Sequence, residues 1–122
     1  MPELGSTYRC NHEPRHIWVI ISNPSEHENQ FLFVNFTSLT PRCVDNVCIL
    51  QPSDYPPYLT QPTTVAYSRA HIGYVDAMQF AIRGNHLVEM PPIPASTLTK
   101  IINGARITPQ LSRAKKALLP AP

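Results

Sequence analysis

The sequence predicts a small, mainly β fold with helices at its C-terminus (α+β), and three observations carry that prediction. Two strand-length apolar runs, HIWVIIS at 16–22 and QFLFVNFTS at 30–38, flank a polar turn. Fourteen prolines against four glycines cluster in 52–62 and 91–94. Proline has no N–H to give to a sheet ladder, so these clusters delimit strands and stiffen the connections between them. Finally, the segment after residue 94 switches to helical patterning with recognisable caps.

The elements follow in order. Residues 1–12 read as a loose arm. Strands are expected at 16–22 and 30–37, because near-continuous Val, Ile, Phe and Trp suits strands buried on both faces or closing a barrel. NPSEHEN at 23–29 is their turn. A third strand is expected at 45–50 and a fourth at 63–68, where TTVAY is rich in β-branched and aromatic residues. Residues 75–82 fit either state: Ala77, Met78, Phe80 and Ala81 suit a short helix, whereas Tyr74 and Val75 suit a strand. Ser96 is an N-cap for a helix over 97–103 with Leu98, Ile101 and Ile102 on one face and Gly104 as its stop. A second helix is expected from the Thr108-Pro109 pair to Leu119, with Leu111, Ala114 and Leu118 on one side. Its Arg113, Lys115 and Lys116 are either a solvated face or a contact for an acidic partner or nucleic acid. The whole reads as one domain of 122 residues, with a barrel body over 13–90 and helices over 94–119.

Composition excludes more than it selects. The longest apolar stretches fall well short of the roughly 20 residues that span a bilayer, so no membrane segment is expected. Three cysteines, Cys10, Cys43 and Cys48, are an odd number without CxxC spacing, and no basic-then-apolar leader opens the chain. A reduced, cytoplasmic setting is expected. A net charge of +2 with 15% charged residues does not by itself point to a polyanionic partner. His12 and His16 are separated by Pro14, which opposes the helix that metal binding at that spacing needs, so no metal is expected. Gly-rich phosphate loops, a nucleophile elbow and a dinucleotide fingerprint are absent, and no cofactor is expected.

Candidate chemistry lies at one edge. His16 opens the first apolar run with Arg15 beside it, and Thr37-Ser38 closes the second. Antiparallel pairing of the two runs brings all four to the same rim. Tyr67 and Arg69 stand at the end of another expected strand and join the rim if that end reaches it.

The order and spacing of these segments resemble the PemK/MazF-like toxins of type II toxin-antitoxin modules. The likeness lies in HIWVIIS at 16–22, VNFTS at 34–38, TVAY at 64–67 and the helix from Leu98 to Ile102. It implies an SH3-like small β-barrel with C-terminal helices, endoribonuclease activity on single-stranded RNA, a homodimer whose RNA groove spans two subunits, and a cognate antitoxin that occupies that groove. The family's catalytic arginine and threonine fall on His16 and Thr37. The sequence departs from the pattern at the first of these, because the arginine stands one residue early, at Arg15, on the opposite face of a strand.

Cleavage of RNA through its own 2′-hydroxyl needs a base, an acid for the leaving 5′-oxygen and donors to the charged phosphorane. An imidazole at His16 can serve as base or acid, and the hydroxyls of Thr37 and Ser38 can donate to a phosphate oxygen. Arg69 can balance phosphorane charge and Tyr67 can stack on a base. Each also has a plain structural role: a strand-edge histidine, hydroxyls bonding their own backbone, a core tyrosine and a surface arginine. A non-catalytic SH3-like interaction module of phage or mobile-element type, binding protein or nucleic acid, is therefore the alternative function.

Overall fold

The computed structural model describes residues 2–122, which form a curled six-stranded antiparallel sheet, half of a barrel, backed by C-terminal helices. The elements are β1 (Thr7–Cys10), β2 (Ile17–Ile20), β3 (Gln30–Ser38), β4 (Ile49–Leu50), β5 (Thr63–Tyr74), α1 (Val75–Arg83), β6 (Leu87–Met90), α2 (Ala95–Ile107) and α3 (Arg113–Lys116). Their order across the sheet is β4-β5-β3-β2-β1-β6. The mainly β architecture with C-terminal helices agrees with the sequence expectation. Among the described residues no helix is long and apolar enough to cross a membrane.

Each face of the sheet has its own core. Val19, Ile21, Leu32, Val34, Phe36, Val65 and Tyr67 face α2, meeting Ile101, Ile102 and Ala105. Tyr8, Ile20 and Phe31 face the other way and are covered by Val75 and Met78 of α1. Burial on both faces is why the first two apolar runs read as continuous rather than alternating.

Several expectations are corrected. Residues 7–10 of the expected arm are β1, which sits between β2 and β6 with Thr7 and Tyr8 buried. Its polar composition hides it, because Thr7 turns its hydroxyl onto the Gly5 carbonyl at 3.1 Å and carries little apolar signal. The strand expected at 45–50 shrinks to Ile49–Leu50, since Asp45 is used as a side-chain acceptor for Ser68 instead of in a ladder. The fourth strand runs on from 68 to Tyr74 through a bulge, α1 takes up residues 75–83, and β6 follows unforeseen. The helix expected from Thr108 to Leu119 reduces to α3. Thr108 instead ends α2 and accepts the Gln110 amide at 3.1 Å, so the N-cap role passes to Ser112, which accepts the Lys115 amide at 3.1 Å.

Gly104 does not stop α2 but lies within it, buried against the sheet. A Cβ there would collide with the Tyr67 hydroxyl and approach the Cys48 Cβ to 3.1 Å. The missing side chain lets the helix settle onto Tyr67, whose hydroxyl donates to the Ile101 carbonyl at 2.6 Å. Gly104→Ala is expected to destabilise the protein by about 1–3 kcal/mol through overpacking, even though alanine favours a helix by about 1 kcal/mol. Urea denaturation measures this, and a rise in stability would contradict the close packing.

Candidate active site

The rim predicted from the ends of the apolar runs is present as a depression of about 280 Å³. In β2 and β3, Trp18 pairs with Asn35 and Val19 with Val34. Continued beyond β2, that register sets His16 across from Thr37 and Arg15 across from Ser38. All four line the depression, together with Ile17, Phe36 and the loop from Tyr58 to Gln61.

The polar groups there are available to a ligand. Among the described residues neither the His16 ring nor the Thr37 hydroxyl has a hydrogen-bond partner, and both side chains are half-buried. The His16 carbonyl accepts the Cys10 amide at 3.1 Å, which ties the segment entering β2 back onto β1. Ser38 is exposed and its Oγ accepts from the Gln61 amide side chain at 3.2 Å. Arg15 is 57% exposed and makes an ion pair of 3.4 Å with Glu13, which is itself 83% exposed. Such a pair is worth little in water and leaves the guanidinium free to exchange partners.

One wall of the depression comes from the proline-rich loop, and its position is fixed by α2. The Gln51 amide donates to Asp54 Oδ2 at 2.7 Å, Lys100 Nζ reaches the same oxygen at 3.1 Å, and Thr97 Oγ1 donates to the Asp54 carbonyl at 2.6 Å. Partial burial opposes the charge on Asp54, but the Gln51 amide and the Lys100 ammonium hold its carboxyl below the usual range. Tyr55 packs beneath, with its hydroxyl bonded to the Pro91 carbonyl and its ring 5.0 Å from that of Tyr58.

A second depression, of about 340 Å³, shares Thr37 and Ser38 with the first. It is lined by Arg42, Cys43, Asp45, Ala66, Ser68 and Arg69 among others. Its floor is a bulge. Phe33 pairs with His71 and Asn35 with Ala66, so Val34 alone faces residues 67–70. Asp45 holds the bulge by accepting from the Ser68 amide at 3.0 Å and from the Ser68 hydroxyl. Cys43 holds the neighbouring loop, with Sγ 3.5 Å from the Ser38 carbonyl. Arg69 thus stands beside Thr37, one depression away from His16.

Tyr67 does not join them. It is 1% exposed, its hydroxyl is spent on Ile101, and burial pushes its phenol far above the ordinary value. Strand parity explains the correction: Tyr67 follows Ala66 at the start of the bulge and points into the α2 side of the sheet, so it cannot stack on a base. Sequence reading also missed Arg42 and the wall from Tyr58 to Gln61, because each reaches the rim through an irregular loop that leaves no periodic signal. Among the described residues no group of three or more His, Cys, Asp or Glu side chains could hold an ion.

A half-barrel of this topology with a helix laid across one face is the MazF/PemK-like toxin fold. The chain is similar in structure to the MazE-MazF complex from Deinococcus radiodurans, at 14% identity and a TM-score of 0.54 over 91% of this chain and 97% of the other. It is also similar to an endoribonuclease in complex with its cognate antitoxin from a mycobacterial species, at 20% identity and a TM-score of 0.55 over the whole of both chains. Neither a protein-family model nor a curated protein matches the sequence.

The Asp54 anchor makes the wall sensitive to acid. A carboxyl depressed in the folded state contributes stability above its unfolded value, about 3.9, and loses it as pH falls through the lower folded value. Stability of the wild type is therefore expected to drop more steeply than that of Asp54→Asn between about pH 5 and pH 3. Thermal melts across that range check it, and parallel curves would remove Asp54 as an anchor.

Proposed function

We propose that this chain is the toxin of a type II toxin-antitoxin system, a metal-independent endoribonuclease acting on single-stranded RNA. The observation that carries the reading is the gathering of His16, Thr37, Ser38 and Arg15 around one depression on a MazF-like fold. In this reading the unpaired His16 ring takes the 2′-hydroxyl proton or gives one to the leaving 5′-oxygen. Thr37 and Ser38 donate to the phosphorane, and Arg15 and Arg69 balance its charge from either side. The mycobacterial endoribonuclease is described as in complex with its cognate antitoxin, which supports an antitoxin as partner here. A homodimer in the cytoplasm completes the proposal.

The second reading, a non-catalytic interaction module, is favoured by one feature: His16 occupies the place where the family carries its arginine. Arg15, the nearest substitute, lies opposite Ser38 rather than Thr37 by register and is paired with Glu13.

Incubation with a long single-stranded RNA in EDTA separates the two. Discrete cuts mapped by primer extension are expected, falling about 10²-fold or more in His16→Ala and in Thr37→Ala variants that keep the wild-type fold. RNA left intact at high protein concentration, or cutting indifferent to both substitutions, would transfer the assignment to the interaction module.

A further inference from the structure

The sheet face that carries Thr37 also carries three aromatic rings that the fold leaves open. Trp18 in β2 lies across from Asn35, while Phe33 in β3 lies between Ile20 and His71. Trp18 packs edge-on against Phe33 with centroids 4.9 Å apart, and each of these rings is 5.8 Å from His71. Helix α1 covers the neighbouring part of the face, over Ile20 and Phe31, and its cover ends at Phe33. Trp18 and Phe33 remain half-buried and His71 exposed. Asn35, between Trp18 and Ala66 in the same row, is buried with its Oδ1 unpartnered.

On the rim side of these rings, Arg69 precedes His71 by two residues in β5. Arg42 and Arg69 are exposed, have no hydrogen-bond or ion-pair partner among the described residues, and line the depression that opens onto Thr37 and Ser38. Flat rings beside unpaired guanidinium groups complement a strand that alternates bases with phosphates, because bases stack on rings while phosphates seek the cations. An acidic peptide would use the cations and leave the ring faces idle.

We infer that Trp18 and His71, backed by Phe33, are a stacking platform for a base of single-stranded RNA, with Arg42 and Arg69 holding the phosphates that lead from it to the Thr37 rim. The inference rests on the ribonuclease reading for its ligand, but it concerns binding and is tested without cleavage. The platform takes over the role that sequence reading gave to Tyr67, and it adds Arg42 to the phosphate contacts.

Trp18 is the only tryptophan of the chain, so its emission reports on the platform directly. A 2′-O-methyl oligoribonucleotide, which lacks the attacking hydroxyl, is titrated into the full-length protein at fixed salt. Saturable quenching is expected, with affinity falling about 5-fold or more in His71→Ala and in Trp18→Leu, the latter followed by anisotropy of a labelled oligonucleotide. Arg42→Gln is expected to weaken binding and to reduce the salt slope by about 0.7. The exposed position of His71 keeps that variant informative even where Trp18→Leu disturbs folding. Binding with unchanged emission and no response to His71→Ala overturns the platform, as does a response to a polyglutamate peptide with none to the oligonucleotide. Quenching by an oligonucleotide whose unmodified counterpart is never cut retains the platform and removes the nuclease; cutting without quenching does the reverse.

Discussion

The seating of α2 on Tyr67 governs most of what surrounds it. Tyr67 projects from β5 into the helix, donates a hydrogen bond to the Ile101 carbonyl, and fills the space that a side chain at Gly104 would need. Once the helix is held there, Thr97 and Lys100 are in place to grip Asp54, and Asp54 fixes the proline-rich loop. That loop then walls the depression at His16 and Thr37. A contact in the apolar core is thereby linked, through hydrogen bonds from α2 to Asp54, to the loop that walls a polar cleft. Burial of the large side chains beneath α2 supplies the driving force, at about 1.5–3 kcal/mol for each fully buried aliphatic or aromatic group.

The two faces of the sheet carry different duties. The α2 face is closely packed, and Tyr67 pairs its hydroxyl there with the Ile101 carbonyl. The opposite face is covered only in part, and the bulge in β5 separates its two regimes. Asp45 fixes that irregularity by bonding Ser68, so a single buried carboxylate decides where the long strand turns Arg69 outward. Bulges commonly re-aim side chains at functional edges, and this one sits between the covered aromatic cluster and the rim.

Sequence patterning made the main β body legible because its strongest strands are buried on two sides. The runs ending in Ser22 and Ser38 announced themselves, and with them the meeting of His16 with Thr37. What escaped was of three kinds. β1 and β6 are only four residues each, β1 carrying polar Thr7 and Arg9 and β6 largely facing solvent, so pairing rather than composition defines them. Gly104 and Thr108 carry the chemistry of a helix end and a helix start, yet tertiary contact with Tyr67 overrode the first and the end of α2 claimed the second. Tyr67 misled because a strand-end aromatic looks the same in sequence whether it faces water or helix, and a bulge downstream erases the parity needed to tell. The rings that do face outward, Trp18 and His71, sit on strands whose distance in sequence gives no hint that they touch.

The half-barrel leaves two free sheet edges, and both are blunted. β4 offers only Ile49 and Leu50 before Pro52 ends the ladder, and β6 runs from Leu87 to Met90 before Pro91 and Pro92. Glu89 adds a charge to the second edge. Exposed edges of this kind otherwise invite uncontrolled strand addition by other chains. The proline clusters that punctuate the sequence therefore also guard colloidal behaviour, keeping an incompletely closed barrel from propagating its own sheet at high concentration.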